Sequence, residues 1–326
     1  MTVFQAKSQF VKDLSQCSPS PQLDVEVIFS HFLQMDKTSL LLNRDKALTD
    51  DQFSDLQAAI EKRKTGLPVA YITGHREFFG YDFLVNPSVL IPKPDTEILV
   101  EKAIQIIKEK YKAEKSDIEG VNDRILTVCD MCTGSGCIGI SVLKALSQDG
   151  TIPSDRLPKF TLADISAKAL ETARLNAEHL LSKTERERIR FIQSNLFEQL
   201  PMQFDIILTN PPYIPHKMVD ELLQDGRNEP RLALDGDISP DSGNSSQTDD
   251  GLEIIRNLIP QMQEHLSPNG YFLMETGEYN AKEAARLAQR FAFKTNIIKD
   301  LEGQDRVVSG HNYGFPDIPH RYANAQ

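Results

Sequence analysis

The sequence predicts an α/β protein: a doubly wound, mostly parallel sheet preceded by a small N-terminal helical domain, the two joined by a β-hairpin. Two observations carry this prediction. From residue 125 onward, apolar runs of strand length alternate with amphipathic stretches of helix length, the pattern of a parallel sheet flanked by helices. Residues 1 to 64 instead repeat their apolar positions at helical spacing. A chain of 326 residues is long enough for both units, and the pattern divides it into 1–66, 67–97 and 98–326.

In the first unit Val25, Ile28, Phe29, Phe32 and Leu33 share one helical face, and Phe53, Leu56, Ala59 and Ile60 share another. Thr49 and Gln52 form a capping-box pair opening the later segment, which Gly66 and Pro68 end. Four or five short helices are expected. Residues 69–85 are rich in β-branched and aromatic side chains broken by Gly74 and Gly80, which predicts the hairpin. Ile91-Pro92-Lys93-Pro94-Asp95-Thr96-Glu97 then runs into an apolar-periodic helix over 98–111. It reads as a linker, or as the stiff wall of a ligand pocket.

The alternating part follows in order. Strands are expected over 125–129, 160–163, 189–193, 204–208, 271–274, 295–298 and 306–309. Helices are expected over 138–146, 167–181 (capped by Ser166), 252–265 and 281–291. The stretch 235–250 has five aspartates, no Lys or Arg, and Ile238 as its only sizeable apolar group. It buries too little to order itself and is expected to be a mobile acidic loop.

Composition narrows the function. The net charge of -11, with no Lys/Arg-rich run, weighs against a nucleic-acid partner, whose phosphates need basic neutralisation. No stretch reaches the ~18 apolar residues of a membrane helix. The first residues lack an apolar signal core and carry Asp13, Asp24 and Glu26 before the first arginine, Arg44; a cytoplasmic protein is expected. Cys129 and Cys132 make a C-x-x-C with Cys137 close behind. No second cysteine pair or His pair completes a zinc set, so no metal is expected.

Three signals carry chemistry. Asp130-Met131-Cys132-Thr133-Gly134-Ser135-Gly136 follows a strand and opens a helix. Its glycines admit a ligand close to backbone N–H groups. Alone it suits NAD, FAD, S-adenosylmethionine, or merely a tight turn. Asp164 ends the next strand, where a carboxylate can accept both ribose hydroxyls of a nucleoside, or serve only as an acidic residue at a helix start. The insertion 147–158 absorbs the extra spacing from Gly136. Third, Asn210-Pro211-Pro212-Tyr213 follows the apolar strand 204–208. An amide or base amino nitrogen is a poor nucleophile because its lone pair is delocalised. Acceptors at the Asn210 side chain and Pro211 carbonyl would favour charge building on that nitrogen and aim it at an electrophilic methyl. The prolines would stiffen the turn, and Tyr213 would offer a flat face for stacking.

With these signals in this order, the sequence resembles the release factor glutamine methyltransferases, the PrmC/HemK family. The resemblance runs from about residue 67 to 308. It includes Pro68-Val69-Ala70-Tyr71-Ile72-Thr73-Gly74, Arg76-Glu77-Phe78-Phe79-Gly80, Leu90 with the segment through Glu97, and Glu229-Pro230-Arg231-Leu232-Ala233-Leu234-Asp235-Gly236. The resemblance implies a Rossmann-like methyltransferase sheet. It implies S-adenosylmethionine bound at Thr133, Gly134, Ser135, Gly136, Cys137, Asp164, Leu196 and Asn210. It also implies methylation of the glutamine of a Gly-Gly-Gln motif in class I peptide chain release factors. That glutamine would be held by Asn210, Pro211, Pro212 and Tyr213, with catalysis by Asn210, Pro211 and Tyr213, and residues 1–66 would dock the substrate protein. Cys132 stands where the family usually has Gly, Lys93 where it has Arg, and the acidic loop is longer than usual. Rival functions are glutamine methylation of a ribosomal protein, DNA adenine N6-methylation, and a non-catalytic S-adenosylmethionine-binding adaptor.

Overall fold

Capping residues set the N-terminal helices in the computed structural model, which describes residues 1–116, 124–226, 228–238 and 248–312. α1 (Val3–Leu14) opens with a Thr2–Gln5 capping box. α2 (Pro21–Leu33) starts on a proline, and α3 (Lys37–Leu42) is capped by Asp36. α4 (Asp50–Lys64) has the expected Thr49–Gln52 box. Phe10, Leu14, Ile28, Phe29, Leu56 and Ile60 are fully buried between these helices. Asp24 of α2 binds Arg63 of α4 at 2.7 Å, so charge as well as apolar contact ties the bundle together.

The expected hairpin begins later than the sequence suggests. Residues 69–73 form a short helix, α5 (Val69–Thr73), closed by Gly74 in the left-handed conformation at φ 77°. Strand-like composition is overridden there by packing. Val69 and Ile72 lie on the helical core, whereas Ala70 and Tyr71 lie on Val85 and Val89. The hairpin itself is β1 (His75–Phe78) and β2 (Tyr81–Leu84), turned by Phe79 and Gly80, both with positive φ. A single turn at Pro94, Asp95 and Thr96 leads into α6 (Glu97–Ser116).

The large sheet takes its strands and helices nearly where alternation placed them. In chain order they are β3 (Thr127–Met131), α7 (Cys137–Asp149), β4 (Lys159–Asp164), α8 (Ala167–Leu180), α9 (Lys183–Arg186) and β5 (Ile189–Gln193). Then follow β6 (Phe204–Thr209), α10 (His216–Leu223), α11 (Glu253–His265), β7 (Leu266–Glu275), α12 (Ala281–Arg290), β8 (Lys294–Lys299) and β9 (Asp305–His311). The strand order is β5-β4-β3-β6-β7-β9-β8. β5 through β7 are parallel, and β9 runs antiparallel to both β7 and β8. This is the Rossmann-like, doubly wound architecture. The short α9 and α10 were not foreseen from the sequence.

Both faces of the sheet are covered, so its central strands are mostly apolar, with buried Asp130 in β3 and Asp205 in β6 as charged exceptions. Val128, Leu162, Ile206 and Leu208 face α6 and α7, whereas Cys129, Ala163, Ile207 and Phe272 face α11 and α12. The chain leaves β3 toward β5 and returns to β6 on the other side of β3. That reversal opens a crevice at the C-terminal strand ends. No helix among the described residues is long and apolar enough to cross a membrane.

Residues 239–247 of the expected acidic loop lie outside the described residues. Its leading flank is held down. Buried Asp235 lies 2.6 Å from His216 Nδ1 and accepts from Arg231 at 3.0 Å, and Asp237 accepts from the Gly251 amide at 2.9 Å.

Candidate active site

The Gly-rich turn after β3 uses three left-handed residues at alternate positions, Cys132, Gly134 and Gly136, with φ of 58°, 54° and 80°. At φ 80° a side chain on Gly136 would be strained, and its Cβ would also press on Ile140 Cδ1 at 2.7 Å and Ala173 Cβ at 3.2 Å, so the start of α7 favours glycine. Buried Asp130 ties the turn to the helix, accepting from Thr133 Oγ1 at 2.6 Å and the Gly139 amide at 3.0 Å. Its second oxygen has no hydrogen-bond partner among the described residues. Burial pushes its carboxyl up to about 7.

Asp164 ends β4 and faces the same turn. Oδ2 accepts from the Gly134 amide and Oδ1 from the Ser166 amide, both at 2.9 Å. Ser166 in turn caps α8 through the Ala169 amide. Asp164 thus braces two helix-opening turns while standing on the cavity wall. Burial raises its carboxyl and the amides oppose the shift.

A cavity of about 320 Å³ lies between the strand ends, at the lower end of the range for small-molecule sites. Thr133, Gly134, Ser135, Cys137, Asp164, Leu196, Asn210 and Pro212 line it; Gly136, Pro211 and Tyr213 do not. Leu196 holds a left-handed φ of 47°. Pro92, Lys93 and Thr96 form part of the opposite wall, as the proline-rich segment suggested. Lys93 reaches buried Glu229 at 2.8 Å. Sequence reasoning missed Ser88, Val89, Ile165, Lys168 and Ile254 on this wall, because they lie in loops or helix starts without a motif.

At the end of β6, Asn210 Nδ2 lies 3.5 Å from Thr96 Oγ1. Tyr213 turns away from the cavity: its hydroxyl donates to Glu275 at 3.0 Å, and its ring lies on the apolar cluster beneath α11 and α12. The face expected for stacking is therefore not on the cavity wall. The three clustered cysteines are free, and burial raises each thiol, Cys137 to about 12. Among the described residues no group of three or more His, Cys, Asp and Glu could hold a metal ion.

Two family profiles match this chain: the PrmC N-terminal domain over residues 5–74 and the methyltransferase small domain over 118–229. With the Rossmann-like sheet, they make the protein an S-adenosylmethionine-dependent methyltransferase. A release factor glutamine methyltransferase of Koribacter versatilis is 34% identical over 95% of this chain and 98% of its own length. One from Leptospira interrogans is 35% identical over 94% and 96%. A solved protein-(glutamine-N5) methyltransferase (release factor-specific) from Alicyclobacillus acidocaldarius is 26% identical, covering 71% of this chain and 100% of that one, with a TM-score of 0.35. The chain belongs to the release factor glutamine methyltransferase family.

Proposed function

We propose that this protein transfers the methyl group of S-adenosylmethionine to the side-chain amide nitrogen of the glutamine in the Gly-Gly-Gln motif of class I peptide chain release factors, in the cytoplasm. One observation carries the reading: the Gly-rich turn of β3 and the Asn210 turn of β6 open on the same cavity. Family membership supports the choice of substrate.

The cofactor is assigned to this cavity. Thr133, Gly134, Ser135 and Cys137 would cradle it through their backbone, with Gly136, off the cavity wall, shaping the turn between them; Asp164 would face the ribose, and Leu196 would contribute an apolar wall. When bound, the cofactor supplies a methyl group on a positively charged sulfur. Asn210 Oδ1 and the Pro211 carbonyl are assigned the two amide N–H groups of the glutamine, concentrating charge on its nitrogen and fixing its direction. Pro212 stiffens that turn. Tyr213 is assigned to the same unit, anchoring its far end. Helices over 1–66 supply docking surface for the substrate protein, supported by exposed Phe4, Val27, Leu41 and Leu42.

The test is transfer of labelled methyl to recombinant release factor, compared with ribosomes and DNA, with mass-spectrometric localisation. Label on the Gly-Gly-Gln glutamine is expected. Label on any other residue, or only on ribosomes or DNA, overturns the assignment.

A further inference from the structure

The glycines after β3 permit the shape of the turn but do not impose it. A peptide unit next to a glycine can turn over at little steric cost, so other groups must fix the Ser135–Gly136 peptide. Its amide end is held within the turn, where the Gly136 N–H donates to the Thr133 carbonyl at 2.8 Å. Its carbonyl end is held from α8, where Asn176 Nδ2 donates to the Ser135 carbonyl at 2.9 Å. Asn176 lies in the interior of that helix and is fully buried.

The same side-chain amide grips a second segment. Asn176 Oδ1 accepts from the Leu84 N–H at 2.7 Å, and Nδ2 donates to the Leu84 carbonyl at 3.0 Å. Asn176 therefore pairs with the end of β2 as a neighbouring strand would. A side-chain amide carries two N–H groups and one oxygen. With the oxygen on the Leu84 N–H, one N–H goes to Leu84 and the other to Ser135. Reversing the amide would set N–H against N–H and oxygen against two carbonyls, so the three bonds fix one orientation. An apolar side chain would fill the space but deprive the Ser135 carbonyl and both Leu84 groups of these partners.

The same face of α8 docks the residues that follow Leu84. Ala169, Thr172 and Asn176 recur at helical spacing. Thr172 Oγ1 accepts from Asn86 Nδ2 at 2.9 Å, and Ala169 packs on Val85 and Val89. Tyr71 of α5 joins that apolar group and donates its hydroxyl to the Val89 carbonyl at 2.6 Å. Val89 and Ser135 both line the cavity, so one helix face sets two of its walls, and Asn176 joins them directly. Resting on the assignment of S-adenosylmethionine to this cavity, we propose that Asn176 is a positioning residue for the cofactor: it locks the Ser135–Gly136 peptide of the Gly-rich turn and ties that turn to the hairpin leading out of the helical domain.

Calorimetric titration of the full-length protein with S-adenosylmethionine tests this. Asn176→Ala should weaken binding about tenfold, the size expected for one well-placed hydrogen bond. KM for the cofactor should rise by a similar factor, while kcat on release factor at saturating cofactor stays close to wild type. Thr172→Val is the control, since it removes a bond to the same segment and leaves the contact of Asn176 with the turn in place. Both variants should melt below wild type, but Asn176→Ala alone should lose affinity. Wild-type affinity in Asn176→Ala, or an equal loss in Thr172→Val, would overturn the proposal. A measurement on the wild type covers the case in which Asn176→Ala does not fold: the NMR signals of the Asn176 side-chain NH2 should move on saturation with S-adenosylmethionine. Signals that stay in place overturn the proposal as well. Asp164→Ala measured alongside separates the two levels. If it binds weakly while Asn176→Ala binds as wild type, only this inference fails; if both bind as wild type, the placement of the cofactor on this turn fails with it.

Discussion

The two sides of the cavity are held by different means. On the β3–β4 side the main chain supplies most of the donors: the amides of Gly134 and Ser166 hold Asp164, and the Gly139 amide holds Asp130. Thr133 adds a further main-chain link, its amide donating to the Ala163 carbonyl. On the β6–β7 side the contacts run from side chain to side chain, or from a side chain to one carbonyl, among Thr96, Asn210, Tyr213, Glu275 and Asn280. A main-chain cradle depends on conformation, and it tolerates any residue that can adopt the required φ. A side-chain network depends on the identity of every member. Substitutions on the two sides should therefore fail in different quantities, affinity on the first and rate on the second.

The sharpest break in that contrast is Asn210→Ala. It removes one preorganised acceptor, and kcat should drop about 100-fold or more, with S-adenosylmethionine affinity only modestly reduced. Calorimetry and a transfer assay on the same preparation separate the two. A rate within tenfold of wild type would mean that the β6 turn does not hold the reacting amide.

Asp164→Ala is the counterpart on the first side. Loss of a charge-assisted pair of hydrogen bonds to ribose should cost roughly 2–3 kcal/mol of cofactor affinity, with kcat at saturating cofactor much less affected. Because Asp164 also accepts from Gly134 and Ser166, some loss of thermal stability should accompany it. Unchanged affinity in that variant places the ribose contact elsewhere.

Asp130 tests how the cradle is built. Its carboxyl has an ordinary value near 3.8 when exposed and about 7 in the fold. Between those values the native state binds more protons than the unfolded chain, so stability should fall as pH rises from about 4 to about 7 and level off above that. One pKa unit corresponds to 1.36 kcal/mol, so the contribution between pH 5 and 7 is on the order of 2 kcal/mol. Asp130→Asn should flatten this part of the profile in urea titrations across the range. Parallel profiles for wild type and variant would show that Asp130 does not titrate there.

How far the sequence revealed each side follows the same contrast. Strand ends, the Gly-rich turn, Asp164 and Asn210 were legible because each follows an apolar run at a fixed point in the alternation. Residues 69–73 were misread because β-branched composition is a weak guide when a helix is docked on two sides. Glu275, Thr96 and Asn280 carried no signal, being brought together from positions 94–96, 210–213 and 275–280 by sheet order alone. The placement of the Tyr213 ring was equally hidden, since a motif names a residue type and leaves its rotamer open.

Cys132 is where a sequence departure meets a backbone requirement, and its replacement by Gly should have the smallest effect of these substitutions. Cys132 sits at φ 58°, a conformation that costs an L-residue roughly 1–2 kcal/mol. Cys132→Gly would relieve that strain. It would also free the unfolded chain at a cost of about 0.5–1 kcal/mol and remove a thiol packed on the cluster beneath α11 and α12. These terms nearly cancel, so unfolding free energy should shift by less than about 1 kcal/mol; Cys132 also lines the cavity, so the change should register in cofactor affinity rather than in stability. Cys132→Val should behave quite differently, because a β-branched side chain is a genuine outlier at positive φ; a loss of about 2–3 kcal/mol is expected. Denaturant titrations of the three proteins decide the matter. If Gly costs as much as Val, the thiol contributes packing that outweighs the strain, and the β3 side of the cavity depends on side-chain identity after all.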